Sequence, residues 1–408
     1  MKRVPGYLDR YPAKMVSRLA DDLIARHAAD ATVLCDPFCG SGAILKSASE
    51  SGIAVVGCDI NPVAVLLSRV KLEGCDADRT MSLAEDWVAE AETGCRTLPI
   101  EWPSKTYWFT QGTIRKLERL RAGAKRRKLY STAEGRAALL SLVLSVRRCS
   151  KADQRSPKPF ISRTAIETRA GKHFDPGQEL LSILRLLCGL YGEPREAQSS
   201  IIRGDARRLG DLLGRGVKIS HVVTSPPYIN AQDYFRNFKL ELHVLRGLLP
   251  FEIEGVRAHI IGTERGLHKG QTPSEWLSQH QEAMPWRANL LAHSPRLCNV
   301  VDKYFWDMDT VFGSLVQNVQ PGGTFVLVCG DNLVGGMRIP TWDTLNGLVS
   351  SWGFEMKLQY GDFIARRNVP PMRMGHKGII KEEIVSVFVK EGSGGGSGVA
   401  EAAGSHRK

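Results

Sequence analysis

Acidic residues are the scarce class in this chain. Its 408 residues hold 43 Asp and Glu against 55 Lys and Arg, a net charge of +12. That balance favours a polyanionic partner. Cysteine-pair motifs are missing as well. None of the nine cysteines forms a Cys-x-x-Cys pair, so no metal is expected, and the odd count argues against a full disulfide framework. A reducing cytoplasm is the expected setting. No apolar stretch approaches the length of a membrane span, so no membrane partner is expected. Met1-Lys2-Arg3-Val4-Pro5 leads into no apolar run, so no signal peptide is read there. What is present, 43% hydrophobic and 24% charged residues, suits a globular chain with a large core.

The pattern begins as β-α-β-α. Residues 12–29 carry Met15, Leu19, Leu23 and Ile24 at helical spacing. Residues 32–35 read as a short buried strand, 42–51 as a helix, and Ile53 to Cys58 as a second strand ended by Asp59. Asn61 and Pro62 then cap a helix to about Leu72. Such a start implies an α/β fold, a doubly wound, mostly parallel, Rossmann-like sheet. Residues 75–197 read as a largely helical insertion rich in Arg and Lys. Strands resume at Ser200–Arg203 and Ile219–Thr224, and 232–249 reads as helix. Residues 250–300 read as a second, irregular insertion. A helix over 302–318, a turn at Pro321-Gly322-Gly323 and a strand over Thr324–Cys329 follow. The last elements are a helix over 341–352 and a strand pair over 354–362 and 383–389. Residues 391–408, rich in Gly and Ser, read as a disordered tail.

Two short motifs carry chemistry. Asp36-Pro37-Phe38-Cys39-Gly40-Ser41-Gly42 is a glycine turn at the end of a strand, where backbone N–H groups can approach a ligand closely. It lacks the Gly-x-Gly-x-x-Gly spacing of a dinucleotide site. It suits a cofactor with a cationic amine in place of a pyrophosphate. Asp36 can pair with that amine, while Gly40 and Gly42 pack on the nucleoside. Asp59, about 20 residues on, stands where an acid accepts ribose hydroxyls. Asp205, in Gly204-Asp205-Ala206, can accept an adenine amino group. The alternative for each acid is an ordinary turn or helix-start residue.

Thr224-Ser225-Pro226-Pro227-Tyr228 is the second motif. Pro226 and Pro227 fix φ and remove two backbone donors, which leaves nearby carbonyls free to accept from an amine. Ser225 adds a side-chain acceptor and Tyr228 an aromatic face. An exocyclic amine on a nucleobase is a poor nucleophile, because its lone pair is delocalised into the ring. Two acceptors on its N–H groups localise that lone pair, and positioning against a sulfonium methyl supplies the rest. No covalent intermediate is needed, and 224–228 holds no cysteine. The alternative is a Pro-rich turn after a core strand with a packed Tyr. A base within a duplex must be flipped out to reach such a site.

With these residues the chain resembles the S-adenosylmethionine-dependent amino DNA methyltransferases, the N4-cytosine/N6-adenine group. Phe38, Gly40 and Gly42 match that family's cofactor motif, and Ser225, Pro226, Pro227 and Tyr228 its catalytic tetrapeptide. Tyr11 and Pro12, in Tyr11-Pro12-Ala13-Lys14, resemble the segment that closes over the methionine end. Arg203 to Arg207 resemble the adenine-contacting turn. Pro321-Gly322-Gly323 resembles the fifth-strand region, and Arg367 to Gly378 with Glu382 and Glu383 a late loop and strand beside the target pocket. The resemblance implies a class I methyltransferase fold and S-adenosyl-L-methionine as cofactor. It implies a site of Tyr11, Pro12, Asp36, Phe38, Gly40, Gly42, Asp59, Ile60, Asp205 and Ala206 around that cofactor. It further implies catalysis at Ser225, Pro226, Pro227 and Tyr228. Ser225, where the adenine enzymes more often have Asp or Asn, points to N4 of cytosine in a specific DNA sequence.

The catalytic unit is then 1–74 with 198–390, and 75–197 is the candidate target-recognition region. A cognate restriction endonuclease is a possible partner by the same analogy. Rival readings are an N6-adenine DNA enzyme, an RNA enzyme acting on guanine N2 of tRNA, and a degenerate fold serving only to bind DNA. The basic runs 114–128 and 150–171 are phosphate-contact candidates or ordinary solvated faces.

Overall fold

Short apolar runs bounded by Gly, Asp and Pro become the strands. The computed structural model describes residues 15–156, 158–169, 174–193, 198–214, 216–229, 234–268, 271–280, 284–363 and 382–392. Among them lie β1 (Val33–Asp36), β2 (Ala54–Asp59), β3 (Ser199–Arg203), β4 (Ile219–Thr224), β5 (Val319–Cys329), β6 (Asn332–Val334), β7 (Met337–Ile339), β8 (Phe354–Phe363) and β9 (Glu382–Lys390). Seven strands form one sheet in the order β3-β2-β1-β4-β5-β9-β8, and β6 pairs only with β7. β1 to β5 run parallel, and β9 is antiparallel to both neighbours. The expected doubly wound, mostly parallel sheet is therefore present.

Alternate strand residues face opposite cores, as a period of two dictates. Leu34, Val55, Val223 and Val326 pack with helix α1 (Ser17–His27) and α2 (Ala43–Glu50). Cys35, Val56, Val222 and Phe325 face helix Pro295–Val316 and helix Thr341–Ser351 on the other side. Helix α3 (Pro62–Glu73) begins as its residues require: Asn61 Oδ1 accepts the Val63 N–H at 3.0 Å, with Pro62 in the first turn. Its Val63, Leu66, Leu67 and Val70 join a third core, with Trp87, Leu117, Leu140 and Leu184 of the 75–197 segment. Arg121, 3% exposed, pins that segment to the helix Lys239–Leu245 and its end. Its guanidinium donates to the carbonyls of Val244, Leu98, Pro99 and Arg246.

Several expectations need correction. Pro321-Gly322-Gly323 is no turn ahead of a strand; it lies inside β5, where the pairing with β4 shifts register between Ile219 and His221. Residues 250–300 are not irregular throughout. They hold helices Ile253–His259, Glu275–Gln279 and Pro285–His293. The next helix starts at Pro295 rather than 302, because Ser294 accepts the Leu297 N–H and Pro295 occupies the first turn. The expected helix over 232–249 is two short helices, Tyr234–Asn237 and Lys239–Leu245, broken at Phe238. The hairpin β6–β7 was not foreseen. No described helix is long and apolar enough to cross a membrane.

Candidate active site

Two turns leave the sheet side by side. β1 and β4 are hydrogen-bonded neighbours with Cys35 opposite Val222, so Asp36 and Thr224 end their strands together. In a doubly wound sheet the crevice opens where connections diverge to either side, here between β1 and β4. The Thr224 hydroxyl donates to Asp36 Oδ1 at 2.7 Å, and the Phe38 N–H donates to the same oxygen at 3.0 Å. Asp36 is only 2% exposed. Burial pushes its carboxyl up to about 7 despite those two donors, and the charge of Asp59 adds to the rise.

Asp59 braces the glycine turn. Its Oδ2 accepts the Gly40 N–H at 3.0 Å and its Oδ1 the Asn61 N–H at 2.8 Å. Gly42 sits at φ 74°, and a Cβ there would lie 2.8 Å from Ser68 Oγ. That Ser68 hydroxyl donates to the Gly40 carbonyl at 2.9 Å. Conformation and space both call for glycine at 42.

Asp205, after β3, is held by its neighbour. Arg207 Nε donates to Oδ1 at 2.9 Å and Nη2 to Oδ2 at 2.7 Å, while the Arg207 backbone N–H also reaches Oδ1 at 3.0 Å. Sequence reasoning missed this pairing.

The three turns line one cleft of about 910 Å³, open solvent at its mouth included. Asp36, Phe38, Gly40, Asp59, Ile60, Asp205 and Ala206 line it together with Ser225, Pro226 and Pro227. Gly42 shapes the turn without lining the cleft. Tyr228 does not line it either; its hydroxyl donates to Glu383 Oε1 of β9 at 2.5 Å. Tyr11, Pro12 and the late loop from Arg367 to Gly378 lie outside the described residues. His259, Ile260 and Ile261 also line the cleft and were missed. The spacing of Ile253, Val256 and Ile260 is the helical signal that marked their element. Cys39 lines the cleft too, and burial holds its thiol well above the ordinary value, so it offers no thiolate. Among the described residues no cluster of His, Cys, Asp and Glu is arranged for a metal.

The basic helix Gln111–Arg126 spends much of its charge internally. Lys116 pairs with Glu92 and Asp175, Arg126 pairs with Glu90 as does the next residue, Arg127, and Arg121 is buried. In the 150–171 run, Arg155 pairs with Asp153 and Arg163 with Glu167.

No family model matches the chain. A segment of 97 residues is 30% identical to the type II methyltransferase M.MjaII of Methanocaldococcus jannaschii, covering 24% of this chain and 18% of that relative. The chain thus spans under a fifth of the curated relative it matches. Among solved structures, the rRNA methyltransferase aviRa of Streptomyces viridochromogenes aligns over 95% of this chain and 88% of its own, at 14% identity and a TM-score of 0.31. TTHA0409 of Thermus thermophilus, in complex with S-adenosyl-L-methionine, aligns over 48% and 57%, at 17% identity and a TM-score of 0.24. Scores this low carry no argument; the fold assignment rests on the strand order.

Proposed function

We propose that this chain, which belongs with the S-adenosylmethionine-dependent DNA methyltransferases by its two motifs and its curated match, transfers a methyl group to the exocyclic N4 amine of cytosine in DNA. The observation that supports this reading is the shared cleft. Asp36, Asp59 and Asp205 open onto the same space as Ser225, Pro226 and Pro227.

The lining fits S-adenosyl-L-methionine in its chemistry. Three carboxylates meet one ammonium, one ribose diol and one adenine amino group, and Phe38 and Ile60 supply apolar surface. When bound, the cofactor supplies an electrophilic sulfonium methyl. Asp36 ionises against the ammonium. Asp59 accepts the ribose hydroxyls while keeping Gly40 in place. Asp205, oriented by Arg207, accepts the adenine amino protons, next to Ala206.

Ser225 Oγ and the carbonyl of Pro226 accept the N–H groups of the target amine and localise its lone pair. Pro226 and Pro227 keep the turn stiff and free of competing donors. Orientation of this kind supplies most of the acceleration in a reaction that needs no protein nucleophile. Tyr228 gives the base an aromatic face, with its hydroxyl anchored on Glu383. A cytosine in duplex DNA enters by flipping out of the stack, at a cost of a few kcal/mol. Ser225 carries the preference for cytosine over adenine, by the family's habit at this position.

Incubation with radiolabelled cofactor and separate duplex DNA, single-stranded DNA and RNA tests the reading. Label in DNA supports it. Label in RNA alone overturns it in favour of an RNA amino-methyltransferase. Cofactor binding without transfer to any of the three favours a degenerate fold that only binds.

A further inference from the structure

A second cavity adjoins the cofactor cleft. It encloses about 1050 Å³, its mouth included, between the turn after β3, residues 258–268 and the helix Pro295–Val316. Asp205, His259 and Ile260 line both spaces.

Its inner charges alternate and cancel. Asp205 accepts from Arg207 at 2.7 Å, Arg207 Nη1 donates to Asp307 at 2.6 Å, and Lys303 pairs with Asp307. Its outer charges do not cancel. Arg208 and Arg265 are exposed cavity residues. Arg208 reaches Asp211 only at 3.9 Å, and Arg265 has no carboxylate partner among the described residues. Trp306, half-buried, lines the same cavity with Lys303 Nζ 4.9 Å from its ring centroid.

The wall between the cavities belongs to the target turn. Gly262, at φ 79°, packs so closely on it that a Cβ would lie 2.6 Å from the Tyr228 carbonyl oxygen. The second cavity therefore begins where the Ser225–Tyr228 turn ends.

We propose that this cavity holds a phosphodiester of the nucleic-acid strand beside the target nucleotide, with Arg265 and Arg208 on the phosphate and Trp306 against a neighbouring base. The inference rests on the nucleic-acid reading above. Unmatched guanidiniums at the mouth of a cavity suit a phosphate, which they bind through paired N–H donors. An aromatic face beside them suits a base and not a bare anion. Contact with the target turn favours a strand that continues from the target over a separate small ligand.

The test uses the full chain and its Arg265→Ala variant, with Arg265→Lys as a charge-keeping control. Arg265 is exposed, and an unchanged Tm confirms that folding is intact. The expected result is a KM for an oligonucleotide raised about tenfold, with kcat and cofactor Kd unchanged. The slope of log KM against log salt drops by about one, as for one lost phosphate contact. Arg265→Lys recovers most of the loss. Thymidine 5′-monophosphate, which has no exocyclic amine, competes with the oligonucleotide; thymidine does not; inorganic phosphate competes weakly; and Arg265→Ala abolishes both effects.

Methyl transfer by the wild type with KM and salt slope unchanged in Arg265→Ala overturns the phosphate site and leaves the methyl-transfer reading standing. Nucleotide binding that depends on Arg265 without any effect on oligonucleotide KM also overturns it, in favour of a free nucleotide ligand. Arg265-dependent binding of both nucleotide and oligonucleotide by a chain that methylates nothing supports the site and overturns the methyl-transfer reading instead.

Discussion

The Thr224 hydroxyl donates to Asp36 Oδ1 at 2.7 Å across 188 residues of sequence, and that bond ties the glycine turn to the Pro-Pro turn. Thr224 is fully buried and Asp36 nearly so. A buried carboxylate that loses a donor is costly, roughly 1–3 kcal/mol. Thr224→Val keeps the shape of β4 and removes the donor. The expected outcome is a loss of that order in denaturant unfolding and weaker cofactor binding by calorimetry. Unchanged values in both would show that the bond positions nothing.

Asp36 makes the cofactor step depend on pH. Its folded value of about 7 lies above the ordinary 3.8. A raised acid stabilises the fold fully below its unfolded value, and that contribution is lost as pH climbs from about 4 through 7. Asp36→Asn therefore flattens the fall in stability across this window. Pairing with an ammonium restores the charged form, so cofactor binding releases about one proton at pH 6 and almost none at pH 8. Calorimetry in buffers of different ionisation enthalpy reads the proton count. A count near zero at pH 6 would show that Asp36 does not receive the amine.

Gly42→Ala meets two obstacles at once, φ 74° and Ser68 Oγ at 2.8 Å. Strain at positive φ costs about 1 kcal/mol or more on its own. Adding Ser68→Gly removes the clash and leaves the strain, so the double variant recovers only part of the stability. Full recovery in thermal melts would place the whole cost on the clash.

Tyr228 separates ring from hydroxyl. Tyr228→Phe keeps the aromatic face and drops the donor to Glu383, so kcat falls only severalfold. Tyr228→Ala removes the face, and kcat/KM falls by about a hundredfold, the scale of one to three kcal/mol per stacked base. Equal losses in the two variants would shift the role from the ring to the Glu383 bond.

The start of the fold was legible because its signals are local. Asn61 and Pro62 announce α3 within two residues, and the glycine turn follows directly on β1. What escaped depends on distant partners. Pro321-Gly322-Gly323 looks like a turn, yet β4 supplies the pairing that draws it into β5. Between Ile253 and His293 the helices are five to nine residues long, too short for a clear 3.6-residue period. At the site, the three acids and Ser225, Pro226 and Pro227 were legible from spacing alone. Arg207 was not, because Asp307, its second partner, lies 100 residues away. The late strand pair was foreseen, while the position of β9 between β5 and β8 was not.

Mass spectrometry of nucleosides from the DNA of cells expressing the chain, beside a Ser225→Ala control, reaches the central claim most directly. The account predicts N4-methylcytosine with the wild type and at least a hundredfold less with Ser225→Ala, whose cofactor affinity is unchanged. N6-methyladenine in its place, or equal modification by the two proteins, would contradict it.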